Sequence, residues 1–367
     1  MSVPQPVDDD KDPTLPIAQA TRNTPTCLWN DSADPEELAR SLAFGATGAT
    51  CNPVIALATI SQHLDTWGPR IHTIAEQNPT ATHSEIGWCA VTALTVDSAA
   101  LLHDEFVASG GRNGRLSIQT DPSLHRDAAA LVRQAVEFSK LADNIIVKIP
   151  ATEIGLQAIE QAAFEGVSVN VTVSFTVAQA VRGAEAIERG LDRRRKAGLP
   201  DQEFGHVVTV MAGRLDDWLK TWVTRNRILL DPGHLEWAGV AVCKEAYRQF
   251  ILRGFRSRLL IGAFRNHFLF SQFIGGDLVI TAPFDWQLQI NENRLPVDPG
   301  AINTPVDRAV MLSLRDKVPD FTRAFTVEDL PIEDFDSFPV TRRTLRQFLE
   351  ANSALETLVR DVLIPVP

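Results

Sequence analysis

The sequence predicts an α/β protein, a (β/α)₈ TIM barrel. Three observations predict it: eight short β-type segments occur along the chain, helix-like stretches separate most of them, and no glycine-rich turn follows the first. Strict alternation of strands and helices indicates a parallel sheet with right-handed crossovers, and eight such units close on themselves. The alternative, an open doubly wound sheet, usually carries a glycine-rich first turn.

The predicted elements follow one another in a regular order. Strands are predicted at residues 26–32, 48–54, 115–121, 144–150, 167–175, 206–214, 258–264 and 276–283. Helical patterns with capping residues are predicted between them, at residues 35–44, 123–141, 153–165, 176–195 and 235–253. The segment 56–114 is too long for one connection, so extra helices are expected between strands 2 and 3.

The chain is expected to divide into three parts. Residues 1–24 are polar and proline-bearing, which predicts a flexible N-terminal arm. Residues 25–310 would form the barrel. Residues 311–367 continue beyond the eighth strand, and helical patterns near 305–316 and 340–363 predict a helical extension packed on the barrel.

Composition excludes several classes of protein. The 367 residues carry a formal net charge of −11, which argues against a nucleic-acid partner. No signal peptide and no apolar run of 18 residues is visible, so neither secretion nor a membrane span is expected. The cysteines form no C-x-x-C pair and show no metal-ligand spacing; they are Cys27, Cys51, Cys89 and Cys243. We expect reduced thiols, a cytoplasmic location and no metal. A homodimer is left open.

Strand parity sorts the interior of the barrel from its exterior, because side chains alternate along a strand. In the third, fourth and fifth strands an apolar set alternates with a more polar one, and the apolar set should face the helices. The other set contains Gln119, Lys148, Asn170 and Thr172. These side chains should point into the barrel toward its C-terminal mouth, where barrel enzymes build their active sites.

Lys148 is the most unusual of these residues, because it stands inside the run Ile-Ile-Val-Lys-Ile-Pro. Burying an ammonium group is costly, so a lysine in this position tends to lose its proton. A neutral amine is the form that attacks a carbonyl. The alternative is a structural lysine paired with a buried carboxylate.

Residues 147–180, VKIPATEIGLQAIEQAAFEGVSVNVTVSFTVAQA, resemble the core of the transaldolase family, approximately IKIPAT-x-EG and then EGI-x-VN-x-T-x-x-FS. Further segments that resemble the family are NDSAD (30–34), ATCNP (49–53), RLSIQTDP (115–122), AGRLDDW (212–218) and GAFRN (262–266). The resemblance covers roughly residues 25–310. It implies a Schiff-base-forming enzyme that needs neither metal nor organic cofactor and acts on sugar phosphates, as in the pentose phosphate pathway.

The resemblance implies a role for individual residues. Lys148 corresponds to the Schiff-base lysine, and Asp31 to the aspartate that takes a hydroxyl proton beside the breaking C–C bond. Asn52 and Asn170 correspond to residues that bond the sugar hydroxyls, and Thr172 to a threonine that orients the catalytic water. Each has an ordinary structural alternative: a turn or helix cap for Asp31, an Asn-Pro turn for Asn52, and a strand residue for Thr172.

Two arginines correspond to the family's phosphate ligands. These are Arg214 and Arg265, with Thr209 in the place of a family serine. A guanidinium group suits phosphate because its fork allows bidentate contact. Each arginine follows a late strand, where barrels often bind phosphate. The alternative for each is a surface salt bridge.

The sequence also departs from the family. Gln119 stands where the family has a glutamate that moves protons through a water, and an amide cannot exchange protons in that way. A related branch, the fructose-6-phosphate aldolases, also has glutamine there but uses a tyrosine from the sixth strand, whose position is Met211 here. The only tyrosine, Tyr247, falls in a predicted helix. Neither proton-transfer arrangement is therefore complete.

The expected function is transfer of a three-carbon dihydroxyacetone unit between sugar phosphates through a Schiff base on Lys148. Two alternatives stay open. One is a Schiff-base aldolase that cleaves or forms a ketose phosphate, and the other is a sugar-phosphate-binding homologue with impaired catalysis. The sequence does not select the sugar donor or acceptor.

Overall fold

The computed structural model of the chain describes residues 12–200 and 205–366. Eight parallel strands pair in sequence order, and the last pairs with the first, which closes the sheet into a barrel. The strands are β1 (Cys27–Asn30), β2 (Gly48–Thr50), β3 (Arg115–Gln119), β4 (Ile145–Pro150), β5 (Val169–Thr172), β6 (Val207–Met211), β7 (Arg258–Gly262) and β8 (Val279–Ala282). All eight lie within the predicted segments, and the (β/α)₈ barrel is confirmed.

Helices surround the barrel and extend beyond it. They are α1 (Pro16–Asn23), α2 (Pro35–Phe44), α3 (Pro53–Gln62), α4 (Leu64–Gln77), α5 (His83–Leu101), α6 (His103–Ala108), α7 (Ala128–Phe138), α8 (Glu153–Glu165), α9 (Val177–Lys196), α10 (Ala212–Arg225), α11 (Pro232–Leu235), α12 (Ala238–Arg253), α13 (Phe268–Ser271), α14 (Phe284–Glu292), α15 (Arg308–Lys317), α16 (Pro319–Phe325) and α17 (Pro339–Leu363). The extra helices expected between strands 2 and 3 are α3 to α6. No helix within 12–200 or 205–366 is both long and apolar enough to cross a membrane.

Local sequence signals explain where the helices begin and end. Asp34 caps α2 by accepting from the backbone of Glu36 and Glu37, and α2 ends at Gly45 with φ of 108°. Thr82 and Glu85 form a capping box at the start of α5. These caps satisfy terminal N–H and C=O groups that the helix itself leaves without partners.

The core has two parts, which lie on opposite faces of the strands. A large apolar core lies between the strands and the helices, while a small one fills the middle of the barrel. The inner cluster consists of Cys27, Trp29, Ile146, Val207, Leu260 and Val279. Trp29 fits against Gly48, where a Cβ atom would lie only 2.6 Å from its indole nitrogen. The inner cluster seals the barrel below the mouth.

The N-terminal arm differs from the prediction. Residues 1–11 lie outside the described residues, but residues 16–23 form α1 rather than flexible chain. Ile17, Ala18 and Ala20 are buried, and the backbone N–H of Ile17 donates to Asn291 of α14 at 3.2 Å. The prediction of a flexible arm is wrong for α1. Its apolar side chains pack against the rest of the protein, and the polar composition of the segment did not indicate this packing. The boundary at residue 310 stays a prediction.

The C-terminal helix α17 lies over the C-terminal mouth of the barrel. Its residues bond to segments that follow three different strands: Thr341 accepts from Gln179, Gln347 from Arg214, and Asn352 donates to Asp121 at 3.5 Å. Toward its other end, α17 packs against α5, where a Cβ atom at Gly87 would lie 3.2 Å from Leu355. Within the extension, α17 therefore covers the mouth, whereas α16 packs against the barrel helices α9 and α12.

Candidate active site

A cavity of about 130 Å³ opens at the C-terminal ends of the strands. All but one of the predicted site residues line it, and these are Asp31, Asn52, Gln119, Lys148, Thr172, Thr209, Arg214 and Arg265. They come from seven different strands or the segments that follow them. The exception is Asn170. Within the described residues, no group of three or more His, Cys, Asp or Glu side chains is arranged to hold a metal ion.

Lys148 is buried on β4, with 6% of its surface exposed. Its Nζ donates to the backbone carbonyl of Cys51 at 3.0 Å. Burial lowers the pKa of Lys148, while Asp31 and Cys51 oppose that change. Across residues 12–200 and 205–366, no carboxylate lies within ion-pair distance of this nitrogen. The alternative of a lysine paired with a buried carboxylate is therefore not what the structure has.

Asp31 follows β1 and lines the same cavity as Lys148. Its Oδ1 accepts from the Thr50 hydroxyl at 2.5 Å, and that hydroxyl lies 2.9 Å from the hydroxyl of Thr281. Asp31 is not the cap of α2, because Asp34 takes that place. Sequence reasoning missed Thr50 and Thr281, although both lie at inward-facing positions of their strands.

Gln119 is the strand neighbour of Lys148, since β3 pairs with β4 at these two residues. Its Oε1 is buried and has no hydrogen-bond partner among the described residues. An unsatisfied buried acceptor costs about 1–3 kcal/mol, so a water or a substrate hydroxyl at this oxygen would be stabilising. Thr172 has a weak contact of 3.9 Å with the sulfur of Met211.

The two asparagines lie in different surroundings. Asn52 caps α3, because its Oδ1 accepts from the backbone of Val54 at 2.9 Å and of Ile55 at 3.1 Å. It still lines the cavity. Asn170 lies one layer lower and is fully buried; its amide donates to Ser117 at 3.0 Å and its oxygen accepts from Thr209 at 2.7 Å. The structure does not bring Asn170 to the cavity.

The two arginines meet because Gly213 allows a close approach. A Cβ atom at Gly213 would lie 1.9 Å from the carbonyl oxygen of Ala263, so only glycine lets these segments touch. Arg265 pairs with Asp217 at 2.8 Å, which matches the surface salt-bridge alternative. Arg214 lies in the first turn of α10, where the helix dipole also favours an anion. Burial, and next Arg265, lower the pKa of Arg214 to about 10.

Helix α17 also contributes to the lining of the cavity, although sequence reasoning did not connect this helix with the site. Phe348 lines the cavity, and Arg214 lies over its ring at 5.4 Å from the centroid. The neighbouring Gln347 accepts a hydrogen bond from Arg214 Nη1. Both residues follow Arg214 by more than 130 positions in the sequence, and no local pattern links them to the catalytic strands.

Comparison with known proteins gives consistent matches. A family model described as "Transaldolase/Fructose-6-phosphate aldolase" matches residues 28–325. "Transaldolase 1" of Streptomyces coelicolor is 32% identical over 241 residues, which cover 64% of this chain and 62% of the relative. "Transaldolase" of Mycolicibacterium smegmatis is 33% identical over 174 residues, 46% of this chain and 45% of the relative. The chain therefore spans about half to two thirds of the length of these curated relatives.

Proposed function

The chain belongs to the transaldolase/fructose-6-phosphate aldolase family, and we propose that it transfers a dihydroxyacetone unit between sugar phosphates through a Schiff base on Lys148. The observation that carries the proposal is a lysine with a lowered pKa, bonded to a backbone carbonyl and facing a cavity. A neutral amine keeps a lone pair for attack on a ketone. We propose that the substrates are sugar phosphates. A homodimer and a cytoplasmic location remain predictions.

The proposed reaction begins at the ketone carbon of a ketose phosphate. Lys148 Nζ adds to that carbon, and loss of water from the carbinolamine gives a protonated imine. Asp31 then takes the proton of the hydroxyl on the distal carbon of the C–C bond that breaks, and that carbon becomes the aldehyde carbon of the product. The electrons of that C–C bond pass into the imine, which leaves a three-carbon enamine on Lys148 and releases an aldose phosphate. The enamine adds to an acceptor aldehyde, and water hydrolyses the new imine.

Asp31 is well arranged for the C–C bond step. It is the only carboxylate that lines the cavity among the described residues, and the Thr50 hydroxyl holds one of its oxygens at 2.5 Å. Gln119 cannot exchange protons, so its proposed role is to hold the water that is lost and regained at the imine, with Thr172 beside it. Asn170 is buried below the cavity and bonds Ser117 and Thr209, so its proposed role is to orient Thr209 rather than the sugar.

The size of the cavity supports partial enclosure of the substrate. Pockets that enclose drug-sized ligands have volumes of about 300 Å³ or more, whereas this cavity has about 130 Å³. We propose that it encloses the reacting carbons around Lys148, while the phosphate lies at Arg214 and Arg265. If water reaches the enamine faster than an acceptor does, the same steps give net aldol cleavage.

A second candidate function is favoured by Gln119 and Met211, which leave the site without the proton carriers known in the family. A sugar-phosphate-binding protein without catalysis would keep the arginines and the cavity. It would bind fructose 6-phosphate without turnover, and Lys148→Ala would leave that binding unchanged.

Borohydride trapping tests the proposed function. Fructose 6-phosphate and borohydride should add a reduced three-carbon or six-carbon adduct to Lys148, identified by peptide mass spectrometry. Lys244 is a matched control, because burial lowers its pKa to about 8 although it lies outside the cavity. Adduct on Lys148 but not on Lys244 supports the proposal, and no adduct with any ketose phosphate contradicts it. Formation of sedoheptulose 7-phosphate from fructose 6-phosphate and erythrose 4-phosphate then separates transfer from cleavage.

A further inference from the structure

The helix α17 is held on both sides of the mouth. Near its start, Thr341 accepts from Gln179, whose side chain also bonds the loop between β5 and α9. Past its middle, Asn352 reaches Asp121 after β3, and Leu355 is buried against α5. The part of α17 between these attachments lies at the cavity, so its side chains have defined positions there.

Arg214 depends on α17 for its orientation. Its Nη1 donates to Gln347, and its guanidinium lies over the ring of Phe348. No carboxylate lies within ion-pair distance of Arg214 among the described residues, whereas Arg265 pairs with Asp217. A long side chain without a fixed partner would lose rotamer entropy on binding an anion, and the contacts with α17 remove part of that cost in advance.

We infer that Gln347 and Phe348 are positioning residues for Arg214 and that α17 thereby sets the preference of the site for a phosphorylated sugar. This inference rests on the proposed function, which supplies the phosphate-bearing substrate. It goes beyond the family match, which ends at residue 325, before α17 begins. The helix that covers the mouth would be a determinant of specificity and not only a cover.

A neutral acceptor is the appropriate partner for an arginine in this role. The amide oxygen of Gln347 fixes one edge of the guanidinium fork without neutralising its charge, so the other donors keep their attraction for phosphate. Phe348 lowers the exposure of the group to water, which strengthens its interaction with an anion. Arg343 lies one helical turn before Gln347 and adds positive charge near Arg214.

Glucitol 6-phosphate provides the direct test, because it has a phosphate but no carbonyl and cannot form a Schiff base. Its dissociation constant is measured by calorimetry for the wild type, Gln347→Met and Gln347→Glu. Gln347→Met keeps the length and helix propensity but removes the acceptor, and we expect binding about 10-fold weaker, the loss of one charge-assisted hydrogen bond. Gln347→Glu should weaken binding further near pH 8, because its carboxylate competes with phosphate, and should recover toward acidic pH.

Matched controls separate positioning from a loss of structure. Arg346→Gln changes the neighbouring position, whose exposed side chain pairs with Glu350 on the solvent side, and should bind within two-fold of the wild type. Dihydroxyacetone lacks a phosphate but can form an imine with Lys148. Borohydride trapping of that imine should label Lys148 at equal rates in all variants. KM for fructose 6-phosphate should rise about 10-fold in Gln347→Met while kcat changes less.

Three outcomes decide between the possibilities. Unchanged or tighter binding of glucitol 6-phosphate by Gln347→Met would overturn the inference. Equal loss of labelling by dihydroxyacetone and of binding, with a lower melting temperature, would show that α17 acts only through the fold and would also overturn it. Failure of wild-type labelling, with the binding differences intact, would instead reject the proposed function and leave the positioning role of α17 supported.

Discussion

Two layers of the barrel interior differ in chemistry although they share the same strands. The lower layer is apolar on four strands, where Trp29, Ile146, Val207 and Val279 are almost completely buried, and Asn170 is a polar residue at the same depth. Two residues further along each strand, the upper layer contains Asp31, Lys148, Thr209 and Thr281, which line the cavity.

The difference shows how a barrel can lower the pKa of an amine. Because the lower layer excludes water from beneath, Lys148 is desolvated on every side except the cavity, and burial is the largest influence on its pKa. The upper layer can then hold polar groups whose hydrogen bonds are incomplete, such as Gln119. The lower layer contributes to the stability of the barrel, and the upper layer lines the cavity. Only two residues along each strand separate the two layers.

Lys148→Met gives the largest expected effect on this contrast, because it replaces the amine of the upper layer with an apolar side chain. Turnover should fall by at least about 10⁴-fold, since the covalent step is lost, and no borohydride adduct should form. The melting temperature should stay the same or rise, because the substitution removes a buried polar amine, whose desolvation is costly, and keeps a similar volume. Rate assays and thermal unfolding on one preparation measure both, and retained turnover would contradict the mechanism.

Trp29→Ala breaks the lower layer instead. The indole is fully buried beside Gly48, so truncation should lower the free energy of unfolding by about 3–5 kcal/mol. Denaturant unfolding measures this loss. Phe325→Ala provides a comparison at a partly buried position far from the barrel interior and should cost less. A loss below about 1 kcal/mol would show that the inner cluster does not stabilise the barrel.

Gln119→Glu sharpens the contrast within the upper layer by adding a second carboxyl group. If the glutamine limits proton transfer at the imine, the rate of sugar transfer should rise about 10²-fold, the lower end of the usual general acid–base contribution. Steady-state assays with fructose 6-phosphate and erythrose 4-phosphate measure it. Gln289→Glu, at an exposed glutamine outside the cavity, is the control. An unchanged rate would show that another group moves these protons.

The smallest expected effect is a pH dependence of stability. Burial lowers the pKa of Lys148 below its ordinary value of 10.5. Between the lowered pKa and 10.5 the unfolded chain binds a proton that the folded chain does not, so the free energy of unfolding rises with pH, by at most about 1.4 kcal/mol per pH unit. Lys148→Met should lack this rise. Parallel curves for the two proteins across that interval would contradict a lowered pKa.

Much of the fold followed from the sequence because the relevant signals are local. Strand alternation placed Lys148, Gln119 and Thr172 on the inward face, and the structure has them at the cavity. Parity gives the direction of a side chain but not its depth, so it does not show that Asn170, which the family resemblance connects with the sugar, lies below the cavity.

Other features could not be predicted because they depend on contacts between distant segments. Nothing near Gln347 indicates that it meets Arg214, since the contact depends on how the whole of α17 docks. The burial of the apolar residues of α1 likewise depends on contact with α14, where the backbone N–H of Ile17 donates to Asn291. Local patterns report periodicity and capping, whereas these contacts depend on tertiary packing.

The partner of Lys148 is a peptide carbonyl and not a side chain. Replacement of Cys51 by another small residue would remove the thiol, whose pKa burial raises to about 12, but would leave the oxygen that holds the amine. Substitutions of residue 51 therefore cannot remove this hydrogen bond unless they displace the backbone. The backbone of the barrel therefore fixes the orientation of the amine. The side chains around the amine could change during evolution while the amine stays in place.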